Sequence, residues 1–289
     1  MTFEDFQRGF FNELAEAGIP VEECRALWAR WTEWAGFGRI GYAMKDPKSL
    51  LPDAEMHQLL LHRLCLQEPW LHIIGTCEFA GLSLQVDARA LIPRPETEEM
   101  LFLALEEAGP SGRALDWCCG SACLALGFQK HRPHWEVEAW DASMDALALA
   151  QENVQISALP VEVVLADLNQ DPHGTPESWD LILANPPYIH PSEREHMDAS
   201  VRDFEPAMAL FSPKEDVLHY YKRLAQWAGF QLRANGTLWL ECHGDHAQES
   251  AQIFKEKPLW KSVEIHKDFC GKERFVRAEK SDIAPIFER

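Results

Sequence analysis

The spacing of the hydrophobic side chains changes near residue 75. Before that point they recur every three or four positions, beginning with Phe3, Phe6, Phe10 and Leu14. Because this period is that of an amphipathic helix, residues 1–75 are predicted to form a small helical domain. Further apolar residues of this domain are also expected in its core, among them Leu27, Trp31, Trp34, Leu59, Leu60, Leu64 and Leu66.

Residues 76–98 are predicted to connect this domain to the rest of the chain. Apolar and polar side chains alternate on either side of Gly81, which is typical of a β-hairpin over residues 76–88. The two prolines of residues 91–98 interrupt the extended backbone, and a helix is expected from Glu98 to Glu107.

From residue 113 onward, short apolar runs alternate with longer amphipathic segments. The apolar runs predict strands at 113–118, 137–141, 161–167, 180–184 and 237–242, and the longer segments predict helices at 121–131, 144–156 and 217–232. A last pair of strands, 262–267 and 274–278, surrounds Gly271 and predicts a hairpin. This alternation indicates an α/β fold with a doubly wound, mostly parallel sheet and antiparallel last strands, which we assign to residues 99–289.

The charge balance bears on the kind of partner. The chain has 46 acidic and 27 basic residues, which gives a net charge of −19. Lys and Arg supply most of the energy of binding to a phosphate backbone, so this balance argues against direct nucleic-acid binding and favours a basic protein partner. Simple solubility is the alternative explanation of the charge. No apolar run reaches the roughly 18 residues of a membrane span, and the N-terminus lacks a signal-peptide pattern. We therefore expect a cytoplasmic protein that acts as a monomer and does not bind membranes.

The cysteines and histidines do not predict a metal site. The eight cysteines contain no C-x-x-C pair, so neither a disulfide framework nor a zinc ribbon is indicated. Cys118, Cys119 and Cys123 lack a usual ligand spacing and are expected to pack as small apolar side chains. His243 and His246 follow a strand, whereas a zinc-protease motif would place them in a long helix.

Small and acidic residues follow the first strands of the predicted sheet. The turn after the first strand contains Asp116, Cys118, Cys119, Gly120, Ser121 and Ala122. Such a turn at the carboxyl edge of a parallel sheet lets the backbone approach a nucleotide-like ligand. Asp141 ends the next strand, 21 positions after Gly120, where an acidic residue binds a ribose diol. Asp167 ends the third predicted strand and is placed to frame an adenine ring, unless both acids merely cap helices.

The most informative residues are Asn185, Pro186, Pro187 and Tyr188, which directly follow the buried strand at 180–184. An amide nitrogen is a weak nucleophile because its lone pair is delocalised, and two acceptors on its hydrogens can orient it. The side-chain oxygen of Asn185 and the carbonyl of Pro186 are suitable acceptors. The prolines stiffen the loop, and Tyr188 can stack on a planar group. The tetrad predicts capture of a planar NH2 group for attack on an electrophilic methyl, and an ordinary proline turn is the alternative.

These residues resemble those of the PrmC/HemK family, the peptide-chain release factor glutamine methyltransferases. Residues 91–98, with the sequence Leu-Ile-Pro-Arg-Pro-Glu-Thr-Glu, are similar to a family hallmark near the substrate channel, and residues 185–189 are similar to its catalytic loop. Further similar segments lie at 68–69, 73–75, 79–82, 86–87, 201–206 and 271–274. The Asn-Pro-Pro-Tyr tetrad also occurs in adenine and cytosine amino-methyltransferases, whereas residues 91–98 are far more specific.

The resemblance implies a Rossmann-like, S-adenosylmethionine-dependent methyltransferase that acts on the glutamine of the Gly-Gly-Gln loop in class I peptide-chain release factors. It assigns residues 118–122, here called the donor loop, to the methyl donor. Asp141 is then matched to the donor ribose, and Leu168 beside Asp167 to the adenine. Residues 185–188, here called the acceptor loop, are matched to the substrate amide, and Asn185 is expected to touch the donor as well. The resemblance also implies substrate contacts for Arg94 and Glu98 and substrate recognition by residues 1–75.

The donor loop departs from the family pattern. The family usually has glycine where this chain has Cys118 and Ala122. Each replacement adds a β-carbon where backbone and ligand approach closely. Cys118 is tolerated if its φ stays negative, and Ala122 is expected at the start of the following helix. We expect donor binding to persist with reduced affinity. The family often has an acid at the position of Glu241, which indicates a structural role near the site.

The sequence is also compatible with two other functions. An adenine amino-methyltransferase acting on nucleic acid would use the same tetrad on a flipped base. A pseudo-methyltransferase with impaired donor binding would instead serve as a scaffold that binds a partner. Methylation of protein or of nucleic acid distinguishes the first alternative, and donor binding distinguishes the second.

Overall fold

The computed structural model describes residues 1–170 and 175–282, and every side chain within them except that of Arg39. The chain divides into two compact units. The first comprises Met1–Ile74 together with Ala199–Phe204, and the second comprises Gly75–Asp198 and the described residues from Glu205 onward. No helix in the described ranges is both long and apolar enough to cross a membrane.

The first unit is a cluster of helices packed around aromatic side chains. Its helices are α1 (Phe3–Glu16), α2 (Val21–Trp34), α3 (Gly38–Ala43), α4 (Ala54–Cys65) and α5 (Trp70–Ile74). Thr2 begins α1 through a capping box with Asp5, which satisfies backbone N–H groups that the first turn leaves unpaired. In the core, Trp31 is fully buried and stacks on Trp28 with a centroid distance of 4.6 Å.

The expected core of this unit is correct only in part. Leu60 and Leu64 are buried, but Leu59 and Leu66 expose 61% and 58% of their surface, and Trp34 exposes 40%. The expectation that these three residues pack in the core is therefore wrong. Successive helical residues point about 100° apart, so neighbouring leucines in one helix cannot all face the same core.

The second unit is an α/β structure. Its elements are β1 (Thr76–Phe79), β2 (Leu82–Gln85), α6 (Pro95–Glu107), β3 (Gly112–Trp117), α7 (Cys123–His131), β4 (Trp135–Asp141), α8 (Met144–Ser157), β5 (Val161–Leu165) and β6 (Trp179–Ala184). After α9 (Ala199–Phe204), which belongs to the first unit, follow α10 (Ala207–Leu210), α11 (His219–Gln231), β7 (Leu232–Glu241), α12 (Ala247–Lys255), β8 (Trp260–Lys267) and β9 (Glu273–Lys280). Two short 3-10 helices span Pro191–His196 and Gly244–His246.

Seven strands form one sheet in the order β5-β4-β3-β6-β7-β9-β8, and β1 pairs with β2 in a separate antiparallel hairpin. The pairings from β5 to β7 are parallel, whereas β9 is antiparallel to both β7 and β8. The doubly wound, mostly parallel sheet with antiparallel last strands and a helical N-terminal region is confirmed.

Helices cover both faces of this sheet. α6, α7 and α8 pack on one face, and α11 and α12 pack on the other. β6 shows why the central strands are apolar throughout: Leu181 and Leu183 belong to the core of the first face, and Ile182 and Ala184 to the core of the second. A parallel strand buried on both faces has no polar side, which is why a continuous apolar run predicts it.

The helix boundaries differ from the sequence prediction near the donor loop and before it. α6 begins at Pro95 and not at Glu98, because a proline at the first helical position leaves no hydrogen-bond donor unsatisfied. α7 begins at Cys123 and not at residue 121, and Ala122 precedes it in a left-handed conformation. The helix α12 was not predicted.

Two strand boundaries also differ. β5 ends at Leu165, so Asp167 lies two residues beyond the strand and does not end it. β7 begins at Leu232, directly after α11, whereas the apolar run predicts it only from residue 237. The exposed segment Arg233–Asn235 carries no apolar signal, although its backbone continues the strand.

The strand order reverses between β3 and β6. Their last residues, Trp117 and Ala184, are register partners, so the donor loop and the acceptor loop leave the sheet side by side. Ligands of open α/β sheets bind at the carboxyl edge where the order reverses. The fold therefore brings together two loops that lie more than sixty residues apart in sequence.

Candidate functional site

A cleft opens at this edge of the sheet. The sequence-predicted residues that line it are Arg94, Cys118, Cys119, Gly120, Ser121, Asp141, Asp167, Leu168, Asn185 and Pro187. Those that do not line it are Glu98, Asp116, Ala122, Pro186 and Tyr188. The two loops predicted from separate patterns thus share one cavity.

The donor loop follows a left-handed path. Its φ angles are 65° at Cys118, 53° at Gly120 and 62° at Ala122, so the condition of a negative φ at Cys118 is not met. A non-glycine residue in this region costs about 1–2 kcal/mol. Backbone hydrogen bonds hold the path nonetheless, from the N–H of Cys119 to Trp140 at 3.0 Å and from Ala122 to Cys119 at 2.8 Å. The loop therefore keeps the backbone that glycine favours, with β-carbons added to it.

Asp116 supports the donor loop from beneath. Its side chain is buried, and Oδ2 accepts a hydrogen bond from the N–H of Ala125 on α7 at 2.9 Å. Oδ1 has no hydrogen-bond partner among the described residues. Burial raises the pKa of Asp116 to about 7, the Ala125 N–H opposes the rise, and the nearby charge of Asp141 adds to it.

Asp141 ties the donor loop to the end of β4. Its Oδ2 accepts from the N–H of Gly120 at 2.9 Å, and Oδ1 accepts from the N–H of Ser143 at 2.8 Å. Burial raises the pKa of Asp141, and these N–H donors oppose the rise. The cap of α8 is Ser143, whose Oγ accepts from Ala146 at 3.2 Å. The carboxylate therefore lines the cleft with acceptor capacity left for hydroxyl groups.

The segment after β5 forms a second wall of the cleft. Asp167 Oδ1 accepts from the N–H of Asn169 at 2.8 Å. The carbonyl of buried Leu168 accepts from Trp227 Nε1 at 3.1 Å, which anchors this segment to α11. Tyr220 on α11 also lines the cleft. No sequence pattern marked this tyrosine, because its position in the site depends on how α11 packs on the sheet.

The acceptor loop is held without positive φ angles. Asn185 and Pro187 face the cleft, and Pro186 is buried. Beyond the loop, the N–H of Ile189 donates to Leu210 at 3.0 Å, and Ser212 donates to the carbonyl of Ile189 at 2.9 Å. The two prolines and this pair of bonds fix both ends of the tetrad.

Tyr188 points away from the cleft toward the end of β7. Its hydroxyl donates to Glu241 Oε1 at 3.2 Å, and its ring packs edge-on to His243 with a centroid distance of 5.9 Å. Burial and the charge of Glu241 raise the pKa of Tyr188. Stacking of Tyr188 on a substrate group stays a prediction.

Thr97 joins the acceptor loop to Glu241. Asn185 Nδ2 donates to Thr97 Oγ1 at 3.1 Å, and Thr97 Oγ1 donates to Glu241 Oε2 at 2.6 Å. Sequence reasoning treated Thr97 as a helix start and missed this role. The three residues are separated by 88 and 56 positions along the chain, and no local pattern reports a contact over such distances.

Arg94 and Glu98 of the 91–98 segment form polar contacts within the protein. Arg94 lines the cleft and forms an ion pair with buried Glu205, which also accepts from the N–H of Ile92 at 3.1 Å. Glu98 Oε1 accepts from the N–H of Ala80 at 2.5 Å in the turn of the β1–β2 hairpin. Substrate contacts of Arg94 and Glu98 stay predictions.

The thiols beside the cleft are neutral. Burial raises the pKa of Cys118, Cys119 and Cys123 well above its usual range, and neighbouring carboxylates add to the rise. Among residues 1–170 and 175–282, no group of three or more His, Cys, Asp or Glu side chains is arranged to hold a metal ion.

The sequence of this chain is similar to those of known methyltransferases. Residues 96–214 match the family model "Methyltransferase small domain". The chain is 36% identical over 284 residues to a release factor glutamine methyltransferase of Deinococcus radiodurans, covering 97% of this chain and 99% of the relative. It is 40% identical over 215 residues to that of Lactococcus lactis, covering 74% and 78%.

A solved structure shares the fold. A methyltransferase from Pyrococcus furiosus superposes with a TM-score of 0.51 at 16% identity, covering 79% of this chain and 98% of that one. The identity to the relative from Deinococcus radiodurans extends along nearly all of both chains and goes further than a shared fold. The chain belongs to the release factor glutamine methyltransferase family.

Proposed function

We propose that this protein transfers a methyl group from S-adenosylmethionine to the side-chain amide nitrogen of the glutamine in the Gly-Gly-Gln loop of class I peptide-chain release factors. The observation that carries the proposal is that Asn185 lines the same cleft as Gly120 and Asp141. An amide-binding side chain and a nucleoside-binding carboxylate in one cavity are what a transfer between these two groups requires. The names of the curated relatives support the same substrate.

The residues around the cleft suit the donor. The Asp141 carboxylate is fixed by two N–H groups and suits a ribose diol, and the segment at Asp167 and Leu168 is suited to an adenine. The donor loop, with its glycine-like backbone, offers close approach to the remaining part of the molecule. When bound, S-adenosylmethionine supplies an electrophilic methyl carbon on a sulfonium.

The acceptor loop orients the amide. The Oδ1 of Asn185 and the carbonyl of Pro186 accept from its two hydrogens, which directs the nitrogen lone pair toward the donor. Proline at 186 and 187 keeps these acceptors in place, so little conformational entropy is lost on binding. Positioning supplies most of the rate gain, and the proton of the alkylated nitrogen leaves to solvent or to a backbone carbonyl.

The division of labour between the units follows from this assignment. Residues 1–75 recognise the protein substrate, residues 76–98 link the two parts, and residues 99–289 carry catalysis. A net charge of −19 favours a basic protein surface over nucleic acid.

The test is incubation with donor labelled on its methyl group. Purified release factor, the same factor with its Gly-Gly-Gln glutamine replaced by alanine, and duplex DNA or RNA are offered separately. We expect label only in the unaltered release factor. Label in nucleic acid alone would identify an amino-methyltransferase of bases, and a failure to bind the donor in calorimetry would identify a scaffold.

A further inference from the structure

A chain of hydrogen bonds leads from the acceptor loop to a buried carboxylate. Asn185 Nδ2 donates to Thr97 Oγ1 at 3.1 Å, which in turn donates to Glu241 Oε2 at 2.6 Å. The hydroxyl of Tyr188 donates to the other oxygen of Glu241 at 3.2 Å. Of these four residues, Asn185 and Thr97 line the cleft, and Glu241 is 1% exposed. The carboxylate therefore acts on the cleft only through the side chains that it holds.

The chain has a fixed direction as long as Glu241 is ionised. A carboxylate only accepts hydrogen bonds, and a threonine hydroxyl has one hydrogen. The hydrogen of Thr97 is thus committed to Glu241, and Thr97 can only accept from Asn185. The NH2 group of Asn185 must then face Thr97, which leaves Oδ1, the acceptor end of the carboxamide, for the substrate.

Reversing the chain would present the wrong end of Asn185. If Glu241 donated to Thr97, the threonine hydrogen would turn toward Asn185, and the carboxamide would rotate to offer Oδ1 to it. The NH2 group of Asn185 would then meet the NH2 group of the substrate amide, donor against donor. A reversed chain opposes capture of the amide without changing the shape of the site.

The surroundings of Glu241 favour its charged form in some respects and oppose it in others. On balance its pKa is raised, because burial outweighs the other influences and the charge of Glu96 on α6 adds to the rise. The hydroxyl donors Thr97 and Tyr188 and the positive charge of Arg274 on β9 lower it. Two donors directed at its two oxygens are what a buried carboxylate needs to persist as an acceptor.

We propose that Glu241 and Thr97 are positioning residues, which set the orientation of the Asn185 carboxamide so that its oxygen receives the substrate amide. The inference rests on the proposed function and adds to it the part of the protein that determines which end of Asn185 faces the glutamine. It also assigns to Thr97, the threonine of residues 91–98, the role of orienting Asn185, which neither Arg94 nor Glu98 has.

Four variants separate positioning from a structural role. Glu241→Gln keeps the shape but supplies an NH2 donor that can reverse the chain. Thr97→Val keeps the volume but removes the hydroxyl, and Thr97→Ser restores it. Ser250→Ala is the matched control, because Ser250 is fully buried on α12, donates to His246 at 2.7 Å and does not line the cleft.

Each variant is assayed for kcat on release factor, for donor affinity by calorimetry and for thermal unfolding. We expect Glu241→Gln and Thr97→Val to lower kcat by about 100-fold, as loss of an oriented catalytic hydrogen bond does. Donor affinity should stay within about threefold, a change below 1 kcal/mol. Thr97→Ser should recover most of kcat, and Ser250→Ala should lose thermal stability but keep kcat. If either Glu241→Gln or Thr97→Val folds and turns over within about threefold of the unaltered protein, the inference is overturned.

A spectroscopic measurement keeps this inference separate from the substrate assignment. In protein labelled with ¹⁵N-asparagine, the side-chain NH2 resonances of Asn185 report whether this group donates to Thr97. Glu241→Gln should move them, and Ser250→Ala should not. If the unaltered protein methylates no release factor but Glu241→Gln still shifts the Asn185 resonances, the proposed function alone is rejected. An Asn185 signal indifferent to Glu241→Gln would reject the positioning role.

Discussion

The donor loop and the acceptor loop leave neighbouring strands and line one cleft, but they are held by different means. In the donor loop, Cys118, Gly120 and Ala122 all have positive φ angles, and backbone hydrogen bonds and the carboxylate of Asp141 maintain this path. In the acceptor loop no φ is positive; prolines fix the backbone, and side chains bond to Thr97 and Glu241.

This difference indicates where each loop tolerates change. A binding surface made of backbone N–H groups keeps its geometry when a side chain changes, provided that the residue can adopt the required φ. A surface made of side-chain amide and hydroxyl groups depends on their identity. We therefore expect substitutions in the acceptor loop to affect catalysis, and those in or under the donor loop to affect stability and donor affinity.

The largest effect is expected from Asn185→Ala. It removes the acceptor of the substrate amide while leaving the donor loop intact, so kcat should fall by about 100- to 1000-fold or more. Donor affinity, measured by calorimetry on the same preparation, should change by less than about threefold. Unchanged turnover would reject the role of the tetrad, and a parallel collapse of donor affinity would show that the two loops do not work separately.

Asp116→Asn tests the buried carboxylate under the donor loop. Its pKa of about 7 lies above the usual value near 3.8, so between these values the folded protein binds a proton that the unfolded chain releases. The stabilising contribution is therefore present below about pH 4 and is lost as the pH rises through 7. Each unit of pKa difference corresponds to about 1.4 kcal/mol, so the pH-dependent contribution of Asp116 to the free energy of unfolding is a few kcal/mol.

Urea unfolding at several pH values measures this contribution. Asp116→Asn should be more stable than the unaltered protein at pH 8, and the difference should shrink toward pH 5. Asp145→Asn, at an exposed position of α8, serves as the control and should follow the unaltered protein throughout. A pH-independent difference for Asp116→Asn would mean that the carboxyl group is ionised across this range.

Asp141→Ala tests the donor side of the cleft directly. Loss of the acceptor for two buried hydroxyl groups should weaken donor binding by about 1–3 kcal/mol. Calorimetry measures it, and Glu162→Ala, exposed on β5, provides a control of like charge. An unaltered dissociation constant would mean that the donor ribose binds elsewhere. The expectation that changes on the donor side affect donor affinity would then be wrong.

The sequence predicts those parts of this protein that local patterns determine. The continuous apolar run of β6 predicts a strand buried on both faces, and the tetrad that follows it predicts the acceptor loop at the sheet edge. The helix α12 was not predicted, although Ala247, Ala251 and Phe254 lie at helical spacing and are buried.

Other parts follow from packing and could not be read locally. The contact of Thr97 with Glu241 joins α6 to β7 across 144 positions. The left-handed φ of Cys118 follows from the turn that β3 must make to reach α7, and residue identity alone favours a negative φ. In both cases tertiary structure imposes a geometry that the local sequence does not predict.

The smallest effect is expected from restoring glycine in the donor loop. Relief of the left-handed conformation gains about 1–2 kcal/mol at each position, but glycine stabilises the unfolded chain by about 0.4–1 kcal/mol. Ala122→Gly also loses a fully buried methyl group, worth about 0.8 kcal/mol. These terms nearly cancel, so Cys118→Gly should leave the free energy of unfolding within about 1 kcal/mol, and Ala122→Gly should be neutral or slightly destabilising.

Urea midpoints and donor titrations check both, and donor affinity should stay within about threefold because the backbone path is already that of glycine. A gain of donor affinity above about tenfold would show that the added β-carbons obstruct the ligand, and that side-chain identity matters in this loop as it does in the other.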